Sequence, residues 1–353
     1  LKQLDELTMQ SSVGCQANAW SVSLALLAAS LSAAFADREE LTFNVGGDAR
    51  GLILHTPPSC PAEGCPLLLV LHGSAEDRAG PADDPLLWPA GRFERNYDEA
   101  YFLAHRERHG YSQAYLAARS TSGWYCWDNG WQNYSSCAGP ADGKDNEYVQ
   151  FAIELIRSRL NVSSVYLFGM SGGAKMTWKL ACGGFPGRAV QLDGIAAISG
   201  PISPGFQGTT HCTTPSIVAF HGALDHVTDV ELADNATDWF VATHGCQEAD
   251  TSVPHGGVQL DDYFEAGCQQ SNLAYYRLAE GGHTIPGGPI IWAPNGNVIP
   301  FDSLDAIWSF WTQGQPPEAS LVSSACDHGS SIALLILVFH LLIHAAGMAC
   351  RKQ

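Results

Sequence analysis

The stretch VYLFGMSGGAKMTW, at residues 165–178, limits what this chain can fold into more than any other. An apolar run typical of a strand buried on both faces leads into a turn with glycines around Ser171, and a helical pattern follows. The turn has the form G-x-S-x-G, whose flanking positions must be small because a side chain there would collide with the adjoining strand or helix. The motif specifies only three of its five positions and arises easily by chance, so it has weight only through the strand before it and the helix after it.

Strand and helix signals alternate along most of the chain. Apolar runs predict an opening hairpin across Gly46, Gly47 and Asp48, and buried strands at residues 66–73, 162–169, 194–200, 216–222 and 273–282. Helical patterns occupy residues 146–160, 172–182 and 301–313, the last capped by Asp302 or Ser303. This alternation predicts an α/β fold, a mostly parallel sheet with helices on both faces, and reactive residues at the carboxyl ends of its strands.

Ser171 is the candidate nucleophile, and it needs a histidine held by a carboxylate, in the chain order Ser, Asp, His. Asp225 directly follows the predicted strand SIVAFHG, and His283 lies in a glycine-rich loop after another strand. Asp229 is the rival acid, and Asp225 is preferred because it is closer to the strand end. Three further histidines are weaker candidates for the base, and the first two, each in a His-Gly pair, are expected to hold loops in place: His72, His221 and His255.

An oxyanion hole needs two backbone N–H groups aimed at the developing charge. One is expected from Gly172, directly after the nucleophile at the start of a helix. The other is expected from Ser74, in the loop where Gly73 lets the chain turn after a strand.

One loop is crowded with aromatic residues: Trp124, Tyr125, Trp127, Trp131 and Tyr134. The preferred interpretation is a packed loop braced by a disulfide. The alternative is a platform on which an aromatic or sugar ring stacks, and Trp124 and Trp127 are then the substrate-binding candidates.

Eleven cysteines are typical of a secreted protein if a targeting signal is present. Nearest-neighbour pairing gives Cys60 with Cys65, Cys126 with Cys137, Cys182 with Cys212, and Cys246 with Cys268. No C-x-x-C pair or histidine cluster indicates a metal, so no metal is expected.

With 18 Lys and Arg against 36 Asp and Glu the net charge is −18, which argues against nucleic acid as a partner.

The two ends of the chain carry membrane-targeting patterns. After an upstream extension that ends before Met9, residues 22–33 are apolar and Ala34-Phe35-Ala36 has the form of a signal cleavage site, so residues 1–36 are predicted to be removed. Three glycosylation sequons also favour the secretory route: those at Asn133, Asn161 and Asn235.

The carboxyl end follows a stalk at residues 312–331. Residues 332–350 are long enough to span a bilayer, and Arg351-Lys352 follow them. A transmembrane span is therefore favoured over a cleaved signal for a glycolipid anchor near Ser323, because the polar spacer before the apolar end is short. The folded domain is assigned to residues 37–311, outside the cell or in an organelle lumen.

Six blocks of the chain, taken together and in this order, carry a family resemblance: LLLVLHGSAED, GWYCWDNGWQNYSSCAGPADGKDNEYVQFAIELI, VYLFGMSGGAKMTWKLAC, SIVAFHGALDHV, EGGHTIPGG and FDSLDAIWSFW. They resemble the secreted α/β-hydrolase esterases that include polyhydroxybutyrate depolymerases, feruloyl esterases and acetylxylan esterases. The resemblance covers about residues 41–311. The family commonly has Asp-Asp where this chain has Asp145-Asn146.

The resemblance implies an α/β-hydrolase fold and a serine esterase that needs no cofactor. It implies Ser171 as nucleophile, Asp225 as acid, His283 as base, and Gly73-Ser74 as the oxyanion loop. The substrates expected are feruloyl or acetyl esters of polysaccharides, or polyesters of the polyhydroxyalkanoate type. Rival functions on the same fold are a lipase, a thioesterase, a serine peptidase, or a catalytically inactive adhesion or receptor domain. The oligomeric state is left open.

Overall fold

The computed structural model describes residues 37–58, 60–76, 84, 86–121, 124–129, 142–182, 190–203, 212, 216–248, 260–268, 272–288 and 302–314. The predicted signal segment, most of the stalk and the apolar segment at 332–350 lie outside these residues. Within the described ranges, none of the helices combines the length and apolarity needed to cross a bilayer.

The described residues form thirteen strands, in chain order β1 (Asp37–Val45), β2 (Asp48–Thr56), β3 (Cys65–Leu71), β4 (Ala75–Glu76), β5 (Ser112–Leu116), β6 (Arg119–Thr121), β7 (Trp124–Cys126), β8 (Val162–Met170), β9 (Gly194–Ile198), β10 (Ser216–Gly222), β11 (Gln247–Glu248), β12 (Leu260–Gly267) and β13 (Asn272–Leu278). The α-helices of the same residues are α1 (Trp88–Tyr97), α2 (Leu103–His109), α3 (Lys144–Arg157), α4 (Gly172–Cys182), α5 (Val230–His244) and α6 (Ser303–Gln313), with a π-helical turn at Asp98–Phe102 between α1 and α2.

Ten of the strands form one sheet in the order β1-β2-β5-β3-β8-β9-β10-β13-β12-β11. The six strands from β5 to β13 in this order are parallel, and antiparallel pairs flank them on both sides. If the first eight are renumbered by chain order, the sheet reads 1-2-4-3-5-6-7-8, which is the α/β-hydrolase topology. The predicted fold class is therefore confirmed. The short strands β4, β7 and β6 form a second, antiparallel sheet.

Helices cover both faces of the large sheet because its central strands are apolar on both sides. Along β3, Leu67, Leu69 and Leu71 belong to one core cluster, and Leu68 and Val70 belong to the other. Successive side chains of a strand point to opposite faces, so a continuous apolar run fills two cores at once. Helices α3, α4 and α5 pack on the first face, and α1 and α6 pack on the second.

The opening hairpin forms where the glycines predicted it. Gly46 and Gly47 make a two-residue turn with φ of 59° and 86°, the left-handed values that a type I′ turn requires. Asp48 pairs with Val45 and is the first residue of β2 rather than part of the turn. Asp302 caps α6 by accepting a hydrogen bond from the N–H of Asp305 at 3.1 Å.

Three of the predicted disulfides are present: Cys60–Cys65, Cys182–Cys212 and Cys246–Cys268. Cys126 is disulfide-bonded as well, and its predicted partner Cys137 lies outside the described residues. The bond from Cys182 joins the end of α4 to the chain before β10 across a sequence separation of 30. By chain entropy, closing a loop of that length stabilises the folded state by about 3 to 4 kcal/mol.

Candidate active site

Ser171 occupies a strained turn between β8 and α4. Its φ of 54° is left-handed, a conformation that non-glycine residues seldom adopt. Its N–H donates to the carbonyl of Ile198 at 2.8 Å, which fixes the turn against β9. The neighbouring glycines are required by close approach, because a Cβ at Gly169 would overlap the backbone of Gly173, and a Cβ at Gly173 would overlap that of Leu71. The turn therefore keeps Ser171 outside the regular geometry of both the strand and the helix, at the carboxyl end of β8.

Asp225 and His283 meet at the carboxyl end of the sheet. Nδ1 of His283 lies 2.7 Å from Oδ2 of Asp225, and the carboxylate is buried. The other carboxylate oxygen accepts hydrogen bonds from the N–H groups of Val227 and Thr228, both at 2.9 Å. The turn after β10 thus fixes the acid, and the acid fixes the orientation of the imidazole. Nε2 of His283 is left as the nitrogen that can exchange a proton with a substrate or a nucleophile.

The carboxyl of Asp225 stays ionised. Burial alone would raise its pKa, but hydrogen bonds from His221 and His283 and from the backbone N–H of Thr228 hold the pKa well below its usual range. An ionised acid is what a histidine base needs, since the carboxylate stabilises the imidazolium formed when the base takes a proton.

His221 is a second imidazole at the same carboxylate. Its Nε2 lies 2.8 Å from the carbonyl oxygen of Thr228 and 3.3 Å from Oδ2 of Asp225. Because a carbonyl only accepts, Nε2 carries a proton and is engaged with the acid loop. His221 is therefore placed to hold the loop, as the sequence led us to expect, and His283 presents the geometry of a base.

The rival acid has a different place in the structure. Asp229 caps α5, with its side chain accepting from the N–H of Glu231 at 3.1 Å. His255, a weaker candidate for the base, lies outside the described residues.

The predicted oxyanion residues are neighbours. A Cβ at Gly172 would lie 3.1 Å from the backbone nitrogen of Ser74, and a Cβ at Gly73 would lie 3.3 Å from Cβ of Ser171. The loop after β3 therefore lies directly against the start of α4. The backbone nitrogen of Ser74 therefore lies close to Gly172, and the role of these two amides as an oxyanion hole stays a prediction.

His72 holds this loop in place. Its Nδ1 donates to the carbonyl of Gly73 at 2.5 Å, and its Nε2 accepts from the N–H of Ala118 at 3.0 Å. Burial lowers the pKa of His72 to about 4, so the ring is neutral near pH 7. Both nitrogens are engaged with the backbone, which makes His72 a structural residue of the loop.

The structure places the aromatic candidates in different environments. Trp127 is 2% exposed, and its indole N–H donates to the carbonyl of His72 at 2.8 Å. The proposed platform role is therefore wrong for Trp127, because the ring packs inside and braces the strand end. Trp124 is half-buried in β7 and keeps its status as a substrate-binding candidate. Trp131 and Tyr134 lie outside the described residues.

A buried ionic network behind the site was not predicted from the sequence. Asp145 pairs with Arg50 at 2.5 Å and also accepts from the N–H of Asp128 at 2.6 Å. Lys179 of α4 pairs with the carboxylate of Asp128 at 2.9 Å. The amide of Asn129 then donates to the carbonyl of Gly172 at 3.3 Å. No local pattern signals these pairs, since the partners lie far apart in the chain.

Lys175 is a further buried cation near the acid. It lies one turn after Ser171, and its N–H donates to the carbonyl of that serine at 3.1 Å. Burial lowers the pKa of Lys175 to about 8, although the negative charge of Asp225 acts in the opposite direction. The positive charge of its side chain adds to the forces that keep the acid ionised.

Comparison with known proteins supports an esterase relationship. No family model matches the chain. Feruloyl esterase D of Neurospora crassa is 28% identical over 157 residues, a match that covers 44% of this chain and 50% of that protein. The chain thus matches about half the length of this curated relative.

Solved structures with a similar fold have low sequence identity to this chain. An acetyl xylan esterase from Aspergillus awamori has a TM-score of 0.46 at 15% identity, covering 70% of this chain and 95% of that one. A thermostable esterase has a TM-score of 0.45 at 18% identity, covering 69% and 55%. An acylaminoacyl peptidase from Pyrococcus horikoshii has a TM-score of 0.41 at 10% identity, covering 70% and 38%.

Proposed function

We propose that this chain belongs with the α/β-hydrolase esterases and hydrolyses carboxylic esters through an acyl-enzyme. Ser171 is the nucleophile, His283 the general base and Asp225 the acid that orients it. The observation that carries the proposal is the contact of 2.7 Å between Nδ1 of His283 and the buried carboxylate of Asp225. The left-handed turn at Ser171 supplies a serine at the same edge of the sheet.

The reaction follows from these positions. Oγ of Ser171 attacks the ester carbonyl carbon while Nε2 of His283 takes the hydroxyl proton. The N–H groups of Gly172 and Ser74 donate to the resulting oxyanion. The carbon–oxygen bond to the alcohol breaks, and the imidazolium returns its proton to the leaving alkoxide. Water, deprotonated by the same imidazole, then attacks the acyl-enzyme, and the carboxylic acid leaves as Ser171 recovers its proton.

The substrate class is proposed from the relative. Feruloyl esters are the first candidate because the curated match is a feruloyl esterase, and acetyl and hydroxybutyrate esters are the alternatives. Trp124 is the proposed contact for the aromatic acyl group, since an indole offers a flat apolar surface to such a ring.

An ester panel tests this function. We expect the purified domain to hydrolyse feruloyl, acetyl or 3-hydroxybutyrate esters at rates that depend on enzyme concentration, and Ser171→Ala prepared in parallel provides the blank. Faster turnover of a peptide or thioester substrate would favour those rival chemistries. No turnover of any of them by a folded preparation would support the inactive adhesion or receptor domain.

We also propose that the enzyme is secreted and tethered to a membrane by residues 332–350. The disulfides support an oxidising compartment. Mass spectrometry of the mature carboxyl end, combined with a phospholipase release assay on intact cells, checks the tether. A retained span predicts a mature chain that still contains residues 332–350 and stays on the membrane after phospholipase treatment. Release of a chain ending near Ser323 would replace the span with a glycolipid anchor.

A further inference from the structure

Helices α2 and α6 bring two histidines and a carboxylate together, and none of the three belongs to the proposed triad. His105 and His109 lie four residues apart in α2, a spacing that puts both side chains on one face of a helix. Asp305 lies in the first turn of α6. Its Oδ1 is 3.4 Å from Nε2 of His105 and 4.0 Å from Nε2 of His109, and the three possible ligand atoms lie within 4.8 Å of one another.

We propose that His105, His109 and Asp305 form a binding site for a divalent transition metal, with Zn²⁺ as the most suitable ion. Two imidazoles and one carboxylate are a donor set that Zn²⁺ accepts readily. Ligand bonds of about 2.0 to 2.1 Å place the donors of a tetrahedral site roughly 3.3 Å apart. The pair formed by His105 and Asp305 already has about that separation, and the 4.0 Å between His109 and Asp305 has to shorten by less than about 1 Å.

The orientation of His105 favours metal binding over a hydrogen bond. Its Nε2 is buried and faces Asp305 without making a hydrogen bond, although the side chain is only 5% exposed. Its Nδ1 lies 3.2 Å from the hydroxyl oxygen of Tyr111, which can accept the Nδ1 proton. That tautomer leaves a lone pair on Nε2 aimed at the carboxylate, and a partner on the second ring nitrogen is typical of histidine ligands. A metal ion would give the buried nitrogen a direct bond in place of its 3.4 Å ion-pair contact with Asp305.

Arg108 places a positive charge beside the proposed cation site, and this charge permits a direct test of the proposal. Its guanidinium donates to both oxygens of Asp305, at 2.9 and 3.1 Å. A cation bound at Oδ1 would be repelled by this neighbour. The Arg108 side chain is 56% exposed, so it can move into solvent at small cost when an ion binds.

A metal ion bound here would connect α2 to α6, and α6 in turn contacts the loop that carries His283. Oγ of Ser303, two residues before Asp305, donates to the carbonyl of Pro286 at 2.5 Å. Pro286 follows His283 by three residues, so the first turn of α6 supports the loop that carries the proposed base. A bound ion is therefore expected to raise thermal stability, whether or not the triad assignment is correct.

Zinc titration of the chelator-treated, dialysed protein tests the site. We expect one saturable Zn²⁺ ion per chain by calorimetry and a higher Tm with Zn²⁺ than without it. His109→Gln should weaken binding by at least tenfold and remove most of the Tm increase. His109 is at the surface, with 28% of its side chain exposed, so the variant is expected to fold, and its Tm without metal verifies this.

Arg108→Gln separates a metal site from a simple cluster of ion pairs. If the site binds metal, loss of the guanidinium should raise Zn²⁺ affinity severalfold. If the residues only form ion pairs, the same change should lower Tm and leave the Zn²⁺ titration unchanged. Absence of saturable binding, or binding that is unaffected by His109→Gln, would overturn the proposal.

A metal site at these residues differs from the expectation, drawn from the sequence, that no metal binds. The H-x-x-x-H spacing of α2 is visible in the sequence, but it becomes a candidate site only because the fold places Asp305 of α6 beside it.

Discussion

Ser171→Ala is expected to lower kcat by a factor of about 10⁴ or more on whichever ester the protein cleaves, with little change in stability. The change removes one oxygen from a residue whose backbone is held by hydrogen bonds to Ile198 and Lys175. The fold should therefore persist while the acyl-enzyme can no longer form. Steady-state kinetics together with thermal unfolding of the same preparation measure both parts.

Ser199→Ala is a matched control. Ser199 is the second non-glycine residue with φ of 54° in the described part of the chain, and it is buried at the end of β9. An alanine there meets the same backbone strain, but among the described residues the only side-chain hydrogen bond lost is a long one, of 3.4 Å, to the carbonyl of Thr284. Its kcat should fall by less than about tenfold. Activity of Ser171→Ala close to that of the native protein would remove Ser171 from the mechanism.

Asp225→Asn is expected to lower kcat by about 10⁴ while the fold is retained. An amide can present an N–H where Nδ1 of His283 now meets a carboxylate, which favours the imidazole tautomer whose Nε2 carries the proton. That nitrogen then cannot accept the proton of Ser171. The charge that stabilises the imidazolium is lost as well. Pre-steady-state measurement of the acyl-enzyme burst would show that the acylation step is slowed.

His221→Gln tests which imidazole works with the acid. His221 contacts both Thr228 and Asp225 but uses Nε2 for them, so it should act by positioning the acid loop. We expect a fall in kcat of roughly ten- to a hundredfold, and a changed pH profile, whereas His283→Ala should cost as much as loss of the serine. An equal loss in the His221 and His283 variants would reject the assignment of His283 as the sole base.

Local sequence pattern was enough to predict the parts of this protein that depend on neighbouring residues. Continuous apolar runs mark β3, β8 and β10, because a strand covered on both faces has no room for polar side chains. The glycines around Ser171 mark a turn in which any Cβ would collide. The positions of Asp225 and His283 directly after strands predicted that the two would meet, since parallel strands end at one edge of the sheet.

Tertiary structure decided the contacts that depend on how distant segments pack. Only the fold shows that two imidazoles share the carboxylate of Asp225 and that just one of them, His283, does so through Nδ1. Only the fold buries Trp127 and brings Asp305 beside the histidines of α2. The periodicity of apolar residues indicates which face of a helix or strand is covered by other residues. The identity of the covering residue depends on strand order and on how helices from distant parts of the chain dock, which no local pattern encodes.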